Sequence, residues 1–397
     1  MKLIVVSTNA GLAMGGEALK ALQYVQELLA QGHDVELITH SRCREGLVGL
    51  LPKERVRYVE DSAAMRTCWR VPGLRRLING LFHREVARMI RAYDRDDVVV
   101  QYLCPISPVE PRFPPKGYRC VIGPVSGNIF YPDGFRHLDG IGARLRGRAY
   151  RPVQRMLGLA LRQYKQVDRV LVSGYARTKE ALRWAGCPED KMQSVWDAGL
   201  SAELITGPRM DPQAAPRDFL WIGRMEPYKG GDLAIRALAM MEEEAQLTLY
   251  GEGSERAALE TLVRQHGLEA RVRFAGWLPH DEVPAVMRQH RAMIFPSLRE
   301  ANGIIMQEAM AVGLPVLTLR WGGPMGLAAD AEALFVEVDY PDQVVRDLAG
   351  GMDRLIREPD LAERLSAASR QKAVAEFAWT DVARSWYEAA MGQGPRS

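Results

Sequence analysis

Short apolar, β-branched runs alternate with longer amphipathic stretches along most of the chain. That is the pattern of parallel βαβ units, whose strands are buried on both faces. Leu3–Ser7 leads into a glycine turn, a helical stretch over Glu17–Gln31 and a second run at Val35–Thr39. Val98–Tyr102, Arg119–Ile122 and Arg169–Val172 continue this series. A second series starts at Phe219–Gly223 and runs through Leu247–Tyr250, Val272–Phe274, Ala292–Phe295 and Pro315–Leu319. Helical patterns at Gly231–Met241, Ser254–Gln265, Glu282–Gln289 and Ile305–Ala311 separate these runs, and Asp342–Met391 is helical almost throughout. Between the two series, Leu204–Arg217 contains Pro208, Pro212 and Pro216 and few large apolar residues, which marks a linker. The prediction is an α/β chain of two doubly wound domains, one over residues 1–200 and one over 201–375.

Composition agrees with two folded domains: 397 residues, 47% hydrophobic and 25% charged. The net charge of +3 hides a split. Residues 1–200 carry 31 Lys and Arg against 20 Asp and Glu, whereas residues 201–397 carry 21 against 29. Five cysteines, an odd number with no C-x-x-C pair, point away from a disulfide framework or structural zinc and toward a reducing cytoplasm. Met1-Lys2-Leu3 runs directly into a strand pattern rather than a signal peptide. The longest weakly charged stretch, Ala301–Leu319, is interrupted by Glu308, Gly313 and Pro315 and reads as helix, turn and strand. A cytoplasmic protein is expected, with a membrane surface still open to it.

Three loops carry candidate chemistry. After the first strand, Gly15-Gly16-Glu17 opens a helix, where backbone amides can approach an anion. It is not G-x-G-x-x-G, and the second strand ends in Thr39-His40 without an acid for a ribose, so a nicotinamide site is disfavoured. After Gly223, Arg224 and Lys229 precede Gly230-Gly231 and a helix start, where two cations suit a diphosphate. After Pro296-Ser297, Glu300 sits in a strand-to-helix loop, Asn302-Gly303-Ile304-Ile305 offers amides at a helix start, and Glu308 follows on an otherwise apolar helix. An internal salt bridge or cap would also account for the two acids.

Taken in order, Gly15-Gly16-Glu17, Gly32-His33-Asp34-Val35, Gly223-Arg224 with Lys229-Gly230, Tyr250-Gly251-Glu252-Gly253, Phe274-Ala275-Gly276-Trp277, Glu300-x7-Glu308, Gly313-x-Pro315-Val316 and Gly322-Gly323-Pro324 resemble glycosyltransferase family 4. The likeness extends to Phe377-Ala378-Trp379 before Tyr387 and is densest from Phe219 to Pro324. It implies the GT-B fold, two facing Rossmann-like domains with a cleft between them and residues 376–397 forming a helix that packs back on the first. It also implies retaining transfer of a sugar from a UDP- or GDP-sugar to a glycan or lipid-linked hydroxyl, in polysaccharide or glycolipid assembly. Carried over by position, Arg224 and Lys229 neutralise the leaving diphosphate in place of a metal ion, with no cofactor. Glu300 touches the transferred sugar and Glu308 the ribose diol. Gly15, Gly16, Gly223, Asn302, Gly303, Ile304 and Ile305 surround the phosphates, and Gly251, Gly253, Gly276 and Trp277 lie near the base. No Asp-x-Asp pair follows a strand in the usual way.

One departure concerns the strand Val98–Tyr102, where many relatives end in a histidine and this chain has Gln101-Tyr102. The leaving phosphate can accept the acceptor's proton in front-face transfer, so activity does not require the histidine. Gln101, Tyr102, Ser126, Gly127 and Asn128 are the expected acceptor or sugar-side positions. The alternatives are a non-catalytic GT-B module partnering another transferase, or a GT-B phosphorylase or epimerase. Retention of Arg224, Lys229, Glu300 and Glu308 argues against the first.

The basic first half concentrates its charge in Arg66–Arg91 and Arg136–Lys165, where arginines alternate with Trp69, Leu74, Phe82, Tyr150, Met156 and Leu161. Such segments suit an anionic membrane surface, and equally a solvated helix face or a pocket for an acidic sugar. No nucleic-acid recognition motif is present, which with the acidic second half excludes that partner.

Overall fold

In the computed structural model, the first series becomes a sheet of seven parallel strands. They are Lys2–Val6 (β1), Val35–His40 (β2), Val56–Val59 (β3), Val98–Tyr102 (β4), Arg119–Val125 (β5), Arg169–Val172 (β6) and Met192–Ser194 (β7). The order is β3-β2-β1-β4-β5-β6-β7. Leu3, Ile4, Val5 and Val6 are wholly buried, as apolar runs covered on both faces should be. Leu3 stands in register with Val35 on one side and Val99 on the other. The second series forms six parallel strands, Asp218–Ile222 (β8), Gln246–Tyr250 (β9), Val272–Gly276 (β10), Ala292–Phe295 (β11), Val316–Leu319 (β12) and Leu334–Val336 (β13), in the order β10-β9-β8-β11-β12-β13.

Residues 1–392 are described except Ala13, Val109 and Asn128, and for residues 76, 141–148 and 175 the backbone alone is described. Strands β3, β7 and β13 have no counterpart in the sequence pattern. Each sits at a sheet edge; β7 and β13 span only three residues, and the four of β3, Val-Arg-Tyr-Val, do not form an apolar run.

The chain divides into two compact units. Unit 1 holds residues 1–128, 148–199 and 379–397, and unit 2 holds residues 129–147 and 200–378. One division falls between residues 199 and 200. Residues 129–147, expected with the first domain, cluster with the second. The reason is local: Arg299 donates to the Ile129 carbonyl at 3.1 Å, the Trp321 indole to the Phe130 carbonyl at 3.2 Å, and Gly134 abuts the Asp339 backbone.

The helix Trp379–Met391 belongs to unit 1, where it packs on the helix Gly16–Ala30. Trp386 is fully buried, lies 5.0 Å from the Tyr24 ring and donates to the Trp196 carbonyl at 2.9 Å. Among the described residues no helix is long and apolar enough to cross a membrane.

In a doubly wound sheet the crevice forms where the strand order reverses, at the carboxyl ends of the strands. Unit 1 reverses between β1 and β4, and unit 2 between β8 and β11.

Candidate donor site

The reversal in unit 2 brings together the loops after β8 and β11, which hold Arg224, Lys229 and Glu300. After Ile222 the chain turns through Gly223 and a short 3-10 turn, Pro227–Lys229, before Gly230 starts the helix Gly231–Met240 in a left-handed conformation. Lys229 Nζ lies 2.6 Å from Glu300 Oε2, 71 residues away in sequence, and both side chains remain partly exposed. The ammonium also sits 5.6 Å from the Tyr228 ring and 5.9 Å from that of Phe295. Arg224 donates to the Tyr228 hydroxyl. Two cations, an acid and an aromatic wall therefore converge at the crevice.

The glycines allow these loops to touch. The Gly223 N–H donates to the Tyr250 carbonyl at 3.0 Å, and the Gly251 N–H to the Gly276 carbonyl at 2.7 Å. Gly251 has φ +130°, and a Cβ there would lie 1.8 Å from the Gly223 carbonyl oxygen. A Cβ at Gly253 would meet the Met225 carbonyl at 2.3 Å. No other residue fits either place. Trp277, 71% exposed, follows from β10.

The helix Ile304–Val312 starts after Gly303, which caps it in a left-handed conformation. Glu308 is its fifth residue, a little over one turn in. The amides of Ile304 and Ile305 precede the first intrahelical bonds, which run from Met306 and Gln307 to the Gly303 carbonyl. The Gly323 N–H holds the Glu300 carbonyl at 2.8 Å, which fixes the loop before the helix.

Glu308 is buried to 3% exposure, and its partner is one that the sequence reading missed. His280 Nε2 stands 2.9 Å from Glu308 Oε1, while the His280 side chain is 79% exposed. That hydrogen bond holds the imidazole pKa above its ordinary value. An imidazole three residues after Trp277 was the only signal in the sequence.

The reversal in unit 1 is different. Gly15 caps the helix Gly16–Ala30 at φ +90°. Behind it, Lys20 Nζ lies 2.9 Å from Asp197 Oδ1, which also accepts from Ser173 Oγ at 2.8 Å, and all three side chains are buried. Burial, the largest influence, opposes the Lys20 charge, but Asp197 together with Cys104 and Glu17 holds the pKa above the usual lysine value. Burial raises Glu17 and pushes the Cys104 thiol up to about 12.

Gln101 and Tyr102 correct the sequence reading. Both are fully buried, so neither presents its side chain to a ligand. Gln101 accepts from the Tyr24 hydroxyl at 2.9 Å and donates to the Gly123 carbonyl at 3.0 Å, so both ends of its amide are used internally. Ser126 is buried at 3% exposure, and its hydroxyl has no partner among the described residues. The Gly127 N–H donates to Thr178 Oγ1 at 3.3 Å. Asn128 lies outside the described residues.

Residues 211–372, which contain every candidate of the second site, match the family model of glycosyl transferases group 1. Over this segment the chain is similar to group 1 glycosyltransferases. Over 175 residues the chain is 31% identical to the glycogen synthase of Mycobacterium tuberculosis, covering 43% of this chain and 42% of that protein. The match thus spans less than half the length of that relative. The crystal structure of Anabaena Alr3699/HepE in complex with UDP superposes with a TM-score of 0.70 at 16% identity, over 99% of this chain and 100% of that one. WaaG, a glycosyltransferase involved in lipopolysaccharide biosynthesis, superposes with a TM-score of 0.64 at 17% identity over 98% and 100%. These neighbours are GT-B proteins, and the chain has the GT-B fold.

Proposed function

We propose that the chain is a retaining glycosyltransferase that moves a sugar from a UDP- or GDP-sugar to a hydroxyl of a glycan or lipid-linked acceptor. The observation that carries this reading is the Lys229–Glu300 pair beside Arg224 at the strand reversal of a segment similar to group 1 glycosyltransferases. As the sugar–phosphate bond breaks, negative charge grows on the β-phosphate. Lys229 and Arg224 stabilise it there, and the first amides of the helix Ile304–Val312 add donors. Two fixed cations make the neutralisation independent of a divalent metal. Glu300, released from Lys229, accepts from hydroxyls of the transferred sugar. Glu308 accepts from the ribose diol once His280 gives way. The leaving phosphate oxygen takes the acceptor's proton, so no side chain is needed as base where Gln101 and Tyr102 are buried.

Acceptor recognition is assigned to unit 1, with Ser126 and Gly127 as its candidates and the basic segments Arg66–Arg91 and Arg136–Lys165 as its surface for an anionic membrane. Such a protein would work in the cytoplasm, on the inner face of the membrane, in polysaccharide or glycolipid assembly.

The test is turnover of UDP- and GDP-sugars by wild type, Lys229→Ala and Glu300→Gln. Loss of one phosphate-stabilising donor costs about 10²–10³-fold in kcat. Unchanged turnover in Lys229→Ala would remove the assignment. Nucleotide binding without sugar release from any donor would favour the non-catalytic module instead.

A further inference from the structure

Unit 1 has a polar cavity at the other edge of its sheet. The helix Ile141–Leu161 and the turn Gln163–Lys165 lead into the start of β6, and the helix Tyr175–Trp184 leads into the start of β7. The ends of both helices therefore lie at the amino edge, opposite the edge where ligands bind in this architecture. They approach closely, since a Cβ at Gly158 would come 2.1 Å from the Ala185 carbonyl oxygen.

Between them is a cavity of about 380 Å³, lined by Arg151, Arg155, Arg162, Lys165 and Arg183, with Trp184 as a wall. No carboxylate is among its lining residues. Arg183 pairs with Glu189 outside it. Among the described residues the other four cations form no ion pair, and the Arg151 guanidinium stands 5.5 Å over the Trp184 ring.

Helix carboxyl ends attract cations, but each is equivalent to about half a charge, so two ends balance roughly one of the four. Arg162 adds a further sign. Among the described residues it is the one non-glycine at positive φ, at +50°, in the position after a helix where glycine is the usual choice. A cation is kept there against the backbone preference.

We propose that this cavity binds a phosphate-bearing anion, held by bidentate arginine contacts, at a site separate from the β8–β11 crevice; the inference deepens, and rests on, the assignment of Arg136–Lys165 as an anion-facing surface. The same helix exposes Val153, Met156 and Leu159 at three-residue spacing, and Leu159 lines the cavity. Apolar positions beside the cations suit a phospholipid headgroup with its acyl chains, while a free phosphate ester offers the same anion without them.

The experiment uses the full chain and a double variant, Arg155→Ser with Arg162→Gly. Glycine suits the Arg162 backbone, so the second change leaves the fold intact. An unaltered urea-unfolding midpoint would show this, and Arg151→Gln with Lys165→Gln is the substitute pair if folding is impaired. One arm titrates glycerol phosphate. The other sediments vesicles of phosphatidylcholine alone or with about a third phosphatidylglycerol. Wild type is expected to bind in at least one arm and the variant about thirtyfold more weakly, at about fivefold per cation. Binding of glycerol phosphate assigns a free ester. Binding only to phosphatidylglycerol vesicles assigns the lipid headgroup. Absence of binding in both arms, or equal binding by the variant, overturns the proposal.

Discussion

The two strand reversals share a topology and differ in what fills them. Behind the β1–β4 crevice, Lys20, Asp197 and Ser173 form a closed buried network, and Gln101 is bonded at both ends of its amide. At the β8–β11 crevice, Lys229 and Glu300 pair while still reached by solvent, and Arg224 leans on a tyrosine. The first arrangement is spent on holding a fold together. The second keeps charges that solvent still reaches, so a ligand can rearrange them at less cost than a sealed pair. A crevice predicted by topology becomes a candidate site only where its polar groups remain available.

The comparison predicts where substitutions should act. The largest stability loss is expected for Lys20→Met, which leaves Asp197 buried without its partner, at about 3–5 kcal/mol by urea unfolding. Lys229→Ala should be nearly neutral in the same assay, and a similar loss in both would erase the contrast. Gly251→Ala combines a positive φ with a 1.8 Å approach to the Gly223 carbonyl and should cost about 2–4 kcal/mol. Gly15→Ala at φ +90° meets nothing within 4 Å and should cost only about 1–2 kcal/mol of backbone strain. Equal melting temperatures for these two variants would show that the donor loops are looser than their contacts require.

The smallest effect concerns pH. The hydrogen bond to Glu308 raises the His280 pKa, so the stability it adds is fully present below the unfolded imidazole value and is lost as pH rises through the folded one. Above that point Glu308 is freer to accept a ribose. Nucleotide affinity should therefore rise about two- to threefold as His280 deprotonates. His280→Ala should flatten the profile, and an unchanged slope in that variant would place the pH dependence elsewhere.

The loops of the candidate site were legible as loops that meet because glycines that admit backbone contact stand at strand ends, followed within a few positions by Arg224, Lys229 or Glu300. The two sheets were legible for a similar reason, except at three of their four edges, where β3, β7 and β13 leave no apolar run. Pairings across long separations were not legible. His280 is 28 residues from Glu308, Tyr24 is 77 from Gln101, and Lys20 is 177 from Asp197. Nothing in local spacing encodes these contacts, and they decide which polar residues are sealed. Gln101 and Tyr102 were misread for this reason, since a strand end near a crevice looks the same in sequence whether it is open or buried. Residues 129–147 were misplaced because their partners, Arg299, Trp321 and Asp339, lie far along the chain.

The most direct measurement is calorimetric titration of UDP and GDP into wild type, Lys229→Ala and Lys20→Met at a temperature where all three are folded. If the β8–β11 crevice holds the diphosphate, one nucleotide binds wild type and Lys20→Met alike, and Lys229→Ala weakens it by about tenfold or more. Equal affinity in wild type and Lys229→Ala would contradict that claim.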